Sequence, residues 1–292
     1  MFRGTYTAVV TPFHNGAVDF AALEKLVESQ IAAGISGLVA VGTTAESPTL
    51  THDEKHEIIE RTVKIAKGRC QVIAGAGTNS TRESIEAAKF AEKAGADGAL
   101  LVAPYYNKPS QEGLFRHFKA IAGATKLPIM LYNIPGRCGV DIGPDTVVRL
   151  AQDCRNIVSI KEASGSVDRV AELRRRLPEK FTILSGDDGL TLPFMSVGAV
   201  GVVSVASNLF PAELCSLVRA CESGDFKSAE NLHRRMAGVF KDLFVEPNPV
   251  PVKTALAWRH AISFEVRLPL CEMTDANQAR LRKTLEEFEK TK

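Results

Sequence analysis

The run Ile157-Val158-Ser159-Ile160-Lys161-Glu162-Ala163-Ser164-Gly165 sets a lysine among β-branched and apolar residues. Closed by a glycine, it reads as a buried strand with Ser159, Lys161 and Ala163 on one face. Taking an ammonium out of water is costly unless it is paired or neutralised, so lysine is among the residues least often buried. A desolvated lysine gives up its proton more readily, and its neutral amine is a nucleophile that can form a Schiff base with a carbonyl compound. The bland reading is a lysine at a strand end, snorkelling to solvent or paired with a carboxylate. The run alone leaves both readings open.

The elements around this run decide what can stand beside the lysine. Residues 5–12 open the chain as a strand, and 20–33 carry apolar residues at helical spacing up to Gly34. A second strand over 37–44 leads to the capping box Thr51-His52-Asp53-Glu54 and a helix to about residue 68. A third, over 70–77, precedes a second box, Ser80-Thr81-Arg82-Glu83, and a helix ending near Gly95. Further strands over 98–106, 127–135, 157–165, 181–188 and 200–208 each precede a helical segment, the last over 211–222. Strands apolar enough to be buried on both faces, alternating with helices through eight units, predict a parallel sheet closed into a (β/α)8 TIM barrel. An open doubly wound sheet is the alternative, and the regular count favours closure. From Asp225 the chain reads as helices only, interrupted by Glu246-Pro247-Asn248-Pro249-Val250-Pro251. We therefore expect a catalytic barrel over 1–224 and a C-terminal helical appendage over 225–292, packed on the barrel or on a neighbouring subunit.

In such a barrel the active site lies at the C-terminal ends of the strands. Those ends are Gly42-Thr43-Thr44-Ala45-Glu46-Ser47, Pro104-Tyr105-Tyr106-Asn107, Tyr132-Asn133-Ile134-Pro135-Gly136-Arg137, Lys161-Glu162 and Gly186-Asp187-Asp188. The lysine thereby gains hydroxyls and phenols that move protons and an arginine that grips a carboxylate, which favours the Schiff-base reading. Metal chemistry fares poorly. His14 follows the first strand, and His52, His56, His117, His233 and His260 fall on predicted helices, so no metal is expected. Asp187 and Asp188 suit a turn, and their charge would repel a phosphate, so an unphosphorylated acid is the expected substrate.

Bulk properties agree with a small-molecule enzyme. The 292 residues carry 36 Lys and Arg against 34 Asp and Glu, so charge points to neither nucleic acid nor an anionic membrane. The one dense basic cluster, Arg174-Arg175-Arg176, reads as the solvated face of a helix. The first residues lack the pattern of a secretory leader, and no apolar run is long enough to span a bilayer. Six cysteines without a C-x-x-C pair read as reduced thiols acting as small hydrophobes, and a cytoplasmic enzyme is expected.

These segments resemble the dihydrodipicolinate synthase (4-hydroxy-tetrahydrodipicolinate synthase) family, of the N-acetylneuraminate lyase superfamily of pyruvate-dependent class I aldolases. The likeness runs through essentially the whole length, including the five strand ends and Phe244-Val245-Glu246-Pro247-Asn248-Pro249. Lys161 and Gly42-Thr43-Thr44 carry the likeness to the superfamily; Tyr106 and Arg137 narrow it to the synthase. The resemblance implies that pyruvate forms a Schiff base on Lys161, that Thr43 and Thr44 hold its carboxylate largely through backbone amides, and that Val203 and Gly186 lie at the bound keto acid. It makes Tyr132 the acid and base, relayed through Thr43 to a Tyr106 that reaches in from a neighbouring subunit. Arg137 is implied to hold the carboxylate of aspartate semialdehyde. It further implies 4-hydroxy-tetrahydrodipicolinate as product on the diaminopimelate route to lysine, no external cofactor, and a homotetramer built as a dimer of dimers.

Ser47, His52, Asn79, Glu83 and Tyr105 match the family's lysine-inhibition site, while Lys55 stands where sensitive enzymes often have histidine and Pro48 replaces a small residue. A cationic Lys55 opposes a cationic effector by at most about 4 kcal/mol at 4 Å and an effective dielectric of 20, so weak or absent feedback is expected. Rival readings are an aldolase of the same superfamily acting on a sialic or 2-keto-3-deoxy sugar acid, and a non-catalytic sensor or scaffold barrel. A sugar-acid enzyme has no need of a guanidinium at Arg137, and a scaffold none of a buried lysine.

Overall fold

The computed structural model describes residues 1–290. Eight parallel strands, β1 Gly4–Ala8, β2 Gly37–Ala40, β3 Gln71–Gly75, β4 Gly98–Val102, β5 Ile129–Asn133, β6 Ile157–Glu162, β7 Thr182–Ser185 and β8 Gly201–Ser204, pair in chain order, and β8 pairs back onto β1. The expected TIM barrel is thus the fold. Both faces of its strands are buried, as parallel sheets require. One face fills the lumen with Tyr6, Val39, Ile73, Leu100, Met130, Tyr132, Leu184 and Val203. The other packs beneath the helices through Leu38, Val72, Leu101, Leu131, Ile160, Ile183 and Val202.

The helices that follow the strands are α1 Phe20–Ala32, α2 His52–Ala66, α3 Thr81–Lys93, α4 Gln111–Ala122, α5 Pro144–Asp153, α6 Val167–Arg176, α7 Thr191–Ser196 and α8 Pro211–Glu222. The first expected capping box forms in full: the Glu54 amide donates to Thr51 Oγ1 at 3.2 Å and the Thr51 amide to Glu54 Oε2 at 2.8 Å. The second forms by half. Ser80 accepts from the Glu83 amide, but the Ser80 amide donates to Thr78 Oγ1 at 3.0 Å, and the Glu83 carboxylate is released toward solvent.

Four expectations need correction. The strands are shorter than their apolar runs: β2 stops at Ala40 because Val41 turns to φ +58°, β4 stops at Val102 and β7 at Ser185. The segments after β2, β4 and β7 are therefore loops above the barrel, whereas Tyr132, Asn133, Lys161 and Glu162 stand at strand ends as expected. Arg174 and Arg176 are half-buried, not solvated: Arg174 donates to the carbonyls of Leu177, Pro178 and Phe181, closing the C-terminus of α6, and Arg176 pairs with Glu172 and Asp145. His260 lies in the turn after a helix, at φ +55°. The proline run only partly interrupts the last helices, since Val250-Pro251 starts one, where a missing N–H costs nothing.

After Gly224 come α9 Phe226–Asp242, α10 Val250–Trp258 and α11 Asp275–Lys290; residues 291 and 292 of the expected appendage lie outside the described residues. What fastens α10 to the barrel is a buried ion pair. Lys253 Nζ bonds Glu46 Oε1 at 2.6 Å with side chains 0% and 1% exposed. The other carboxylate oxygen accepts from the Arg267 amide at 3.0 Å, and the Arg267 side chain grips Glu54 with both terminal nitrogens. Lys253 and Arg267 also lie over the Phe13 ring, at 4.2 and 4.4 Å from its centroid. Burial pulls the Lys253 amine below its ordinary pKa even against the attraction of Glu46.

Breaking such a pair from one side strands a charge in the core, whereas replacing both partners need not. Lys253→Met is expected to cost about 3–5 kcal/mol in urea unfolding, and Lys253→Met with Glu46→Gln to recover most of it.

Candidate active site

Lys161 is the fifth residue of β6, in register with Tyr132 on β5 and Leu184 on β7, and is 6% exposed. β6 carries an irregularity near Val158, yet Ser159 and Lys161 pair with the lumen residues Met130 and Tyr132, and Ala163 packs against the lumen cluster, so the three share one face as expected. The Lys161 amine lies 4.0 Å from the centre of the Tyr132 ring. Burial pulls its pKa down to about 7; the charge of Asp188 resists this and that of Arg137 assists it. Gly186 makes the close packing possible. A Cβ there would come within 2.8 Å of Ala163 Cβ and 3.0 Å of Lys161 Cε.

Asp187 and Asp188 hold turns, as their sequence suggested. Asp187 Oδ1 accepts from the Gly189 amide at 2.8 Å, and Asp188 Oδ2 from the amides of Val205 and Ala206 at 3.1 and 2.9 Å. Burial raises the Asp188 carboxyl to about 6, while its bonds to Ser204, Ala206 and Val205 pull the other way. Val203 on β8 completes this side of the lumen at 1% exposure.

Tyr132 is 4% exposed, and burial pushes its phenol well above the ordinary range, against the charge of Arg137 and a hydrogen bond with Thr43. A phenol so placed stays protonated near neutral pH and serves as a proton donor. Thr43 and Thr44 stand in a tight turn, Thr43–Ala45, that follows β2. The amides of Ala45 and Glu46 close it onto the carbonyls of Gly42 and Thr43, which leaves those of Thr43 and Thr44 at its open N-terminal end. Glu46 leaves the turn at φ +57°, its carboxylate held by Lys253. Thr44 Oγ1 accepts from Asn248 Nδ2 at 3.0 Å.

Arg137 lies in the short helix Pro135–Cys138 above β5, exposed at the mouth, and donates to the Asn248 carbonyl at 3.5 Å. Its loop is pinned from beneath. Asn133 Nδ2 bonds Asp141 at 2.8 Å and the fully buried Glu162 at 3.1 Å, and Arg169 bridges those carboxylates at 3.0 and 2.7 Å. Glu162, beside Lys161 in sequence, thus faces away from the lysine and serves the scaffold.

Thr43, Tyr132 and Arg137 line a cavity of about 230 Å³ that Ser47, Pro48, Lys55 and Tyr105 also line. Burial lowers the Lys55 pKa and the charge of Glu83 opposes that; Glu83 also acts on Tyr105, whose phenol bonds the Asn79 backbone. His52 is exposed in the first turn of α2 and lines no part of the cavity. Tyr106 is not brought to Thr43 within the chain. It is 89% exposed, at φ +74°, outside the cavity wall. Among the described residues no three His, Cys, Asp or Glu side chains gather at metal-ligand spacing, and the cysteines are free, four of them buried. Among the described residues no helix is long and apolar enough to cross a membrane. Sequence reasoning missed Asn248 and Lys253 as neighbours of the Thr43–Thr44 turn; the only signal was that Asn248 stood in a run already matching the family.

The model of the dihydrodipicolinate synthetase family matches residues 1–288. The 4-hydroxy-tetrahydrodipicolinate synthase of Nitratidesulfovibrio vulgaris (strain Hildenborough) is 50% identical over 284 residues, 97% of each chain. The solved structure of that enzyme from Methylacidiphilum fumariolicum SolV is 56% identical with a TM-score of 0.98, covering 99% of this chain and 97% of the other. A structure described as a monomeric dihydrodipicolinate synthase variant is 42% identical with a TM-score of 0.97 over 99% and 97%. With a closed barrel, a buried lysine in its lumen and likeness of this extent from end to end, the chain belongs to the dihydrodipicolinate synthetase family.

Proposed function

We propose that the site condenses pyruvate, bound as a Schiff base on Lys161, with L-aspartate 4-semialdehyde. The chain is a lyase of the class I aldolase type, with 4-hydroxy-tetrahydrodipicolinate synthase activity. The observation that carries the mechanism is the amine pulled down to about 7 inside the lumen, against the face of a protonated phenol.

Neutral Lys161 attacks the pyruvate ketone, and the carbinolamine loses water once its hydroxyl takes a proton from Tyr132. The iminium draws electrons from the neighbouring C–H bond, the methyl group gives its proton to the Tyr132 phenolate left by that loss of water, and an enamine results. Its terminal carbon bonds to the aldehyde carbon of the semialdehyde, whose oxygen takes that proton from Tyr132 and becomes a hydroxyl. The substrate amine then adds to the regenerated iminium, closes the ring and releases Lys161. The iminium is itself the electron sink, so this chemistry calls for no external cofactor. Thr43 and Thr44 hold the pyruvate carboxylate, Gly186 and Val203 shape its pocket, and Arg137 receives the carboxylate of the semialdehyde. Arg137 also favours this reading over a sugar-acid aldolase, whose polyol substrate is read by hydroxyl and amide groups and needs no guanidinium at that point. A cytoplasmic location suits these metabolites.

The relay from Tyr132 through Thr43 lacks its last member within one chain, and an exposed Tyr106 held at positive φ suits insertion into a second subunit. We assign the enzyme a dimer-of-dimers tetramer on this ground and on its family. Lys55, lining the same cavity with Glu83 acting on it, places a cation where a lysine effector would bring another.

Pyruvate with a hydride trap should leave a mass adduct on Lys161, its rate rising as pH climbs through about 7 instead of the ~10.4 of an ordinary lysine. Arg137→Ala removes a charge that favours the neutral amine and should move that midpoint up; absence of any adduct would sink the Schiff-base mechanism. A change that separates subunits should lower turnover while far-UV circular dichroism stays barrel-like, and full activity in a monomer by sedimentation would contradict the shared site. Lysine should inhibit weakly or not at all; an inhibition constant of a few micromolar would refute the role given to Lys55.

A further inference from the structure

We propose that Asn248, in the loop leading into α10, is a positioning residue for both carboxylate-binding groups: it directs the Thr44 hydroxyl toward pyruvate and steadies the Arg137 guanidinium at the mouth. The inference rests on the function proposed above and gives the helical appendage a part in substrate binding.

Asn248 is 5% exposed and lies 204 positions from Thr44, yet its side-chain amide donates to Thr44 Oγ1 at 3.0 Å. A hydroxyl that accepts from an amide turns its own proton elsewhere. Among the described residues that proton meets no protein acceptor, and Thr44 is 3% exposed. The partner left for it is the group bound at the Thr43–Thr44 turn, and the carboxylate of a keto acid is an acceptor of the right charge. The main chain of the same residue takes the other substrate's anchor, since Arg137 donates to the Asn248 carbonyl at 3.5 Å. One residue therefore touches both groups that receive carboxylates.

Two features show that the placement is built in. Asn248 Oδ1 is buried without a protein partner, a cost that packing does not recover and that marks a residue kept for its polar contacts. The loop is also clamped: Lys253, in the first turns of α10, holds Glu46, two residues past Thr44, in the buried pair at 2.6 Å, and Glu246 accepts from the Thr274 amide at 2.9 Å on the other side. The Asn248 amide and the Thr43–Ala45 turn are thus held as one piece.

The test measures half-saturating pyruvate for hydride trapping on Lys161, with KM for the semialdehyde and kcat, in the wild type, Asn248→Ala, Asn248→Asp, Thr44→Val and Asn248→Ala with Thr44→Val. Asn248→Ala should raise half-saturating pyruvate about tenfold, while the semialdehyde KM, whose anchor leans on the Asn248 backbone carbonyl that alanine keeps, and kcat at saturation stay little changed. Asn248→Asp, of the same shape, should raise the pyruvate value further, because a carboxylate accepts the Thr44 proton and turns it away from the ligand; it also carries the test if the alanine variant does not fold. The double variant should match Thr44→Val alone, since the two groups act on pyruvate as one. An adduct whose half-saturation moves less than twofold in both Asn248 variants, or effects that multiply in the double variant, would overturn this inference alone. Failure of the wild type to form the adduct would overturn the function proposed above and this inference with it.

Discussion

Exclusion of water from one amine is the constraint on which the rest of the structure depends. Burial pulls the Lys161 pKa down to about 7, and the amine is buried because eight strands close on themselves around it. The surrounding charges are arranged around this fact. Asp188 limits how far the amine is neutralised, and Arg137, at the rim, pushes the other way. An open sheet with the same residues would leave a solvated cation with no reason to react.

The scaffold keeps its own charges away from that amine. Glu162 follows Lys161 immediately, but strand alternation turns it out of the lumen to Arg169, Asn133 and the Ser164 amide, where it fastens the loop that carries Arg137. Two adjacent ionisable residues thus serve opposite ends, one desolvated and unpaired for chemistry, the other fully paired for position.

Much of this was legible in the sequence for local reasons. Apolar runs fit for burial on both faces, alternating with helical segments, gave the strands, Thr51 with Glu54 gave a helix start, and the lysine in its apolar run gave the reactive group. What escaped were facts that local pattern does not carry. Nothing in Gly37 to Thr44 announces that Val41 leaves the sheet at positive φ, because β-branched residues argue for continuation. Glu83 looked like the second half of a capping box until Thr78, two residues before Ser80, took the amide it was meant to bind. The pairing of Glu46 with Lys253 joins positions 207 apart, and only the closed fold brings them together. Tyr106 was legible as a site residue by likeness alone; its own chain leaves it in solvent.

That long-range pairing also sets an order of synthesis on the turn after β2. The Thr43–Ala45 turn is synthesised more than 200 residues before the groups that fasten it, on Asn248, Lys253 and Arg267. A chain interrupted before those residues has the Thr43–Ala45 turn but neither a cation for the Glu46 carboxylate nor an amide donor for Thr44 Oγ1. The fastening of this turn therefore belongs to a much later part of the chain than the turn itself.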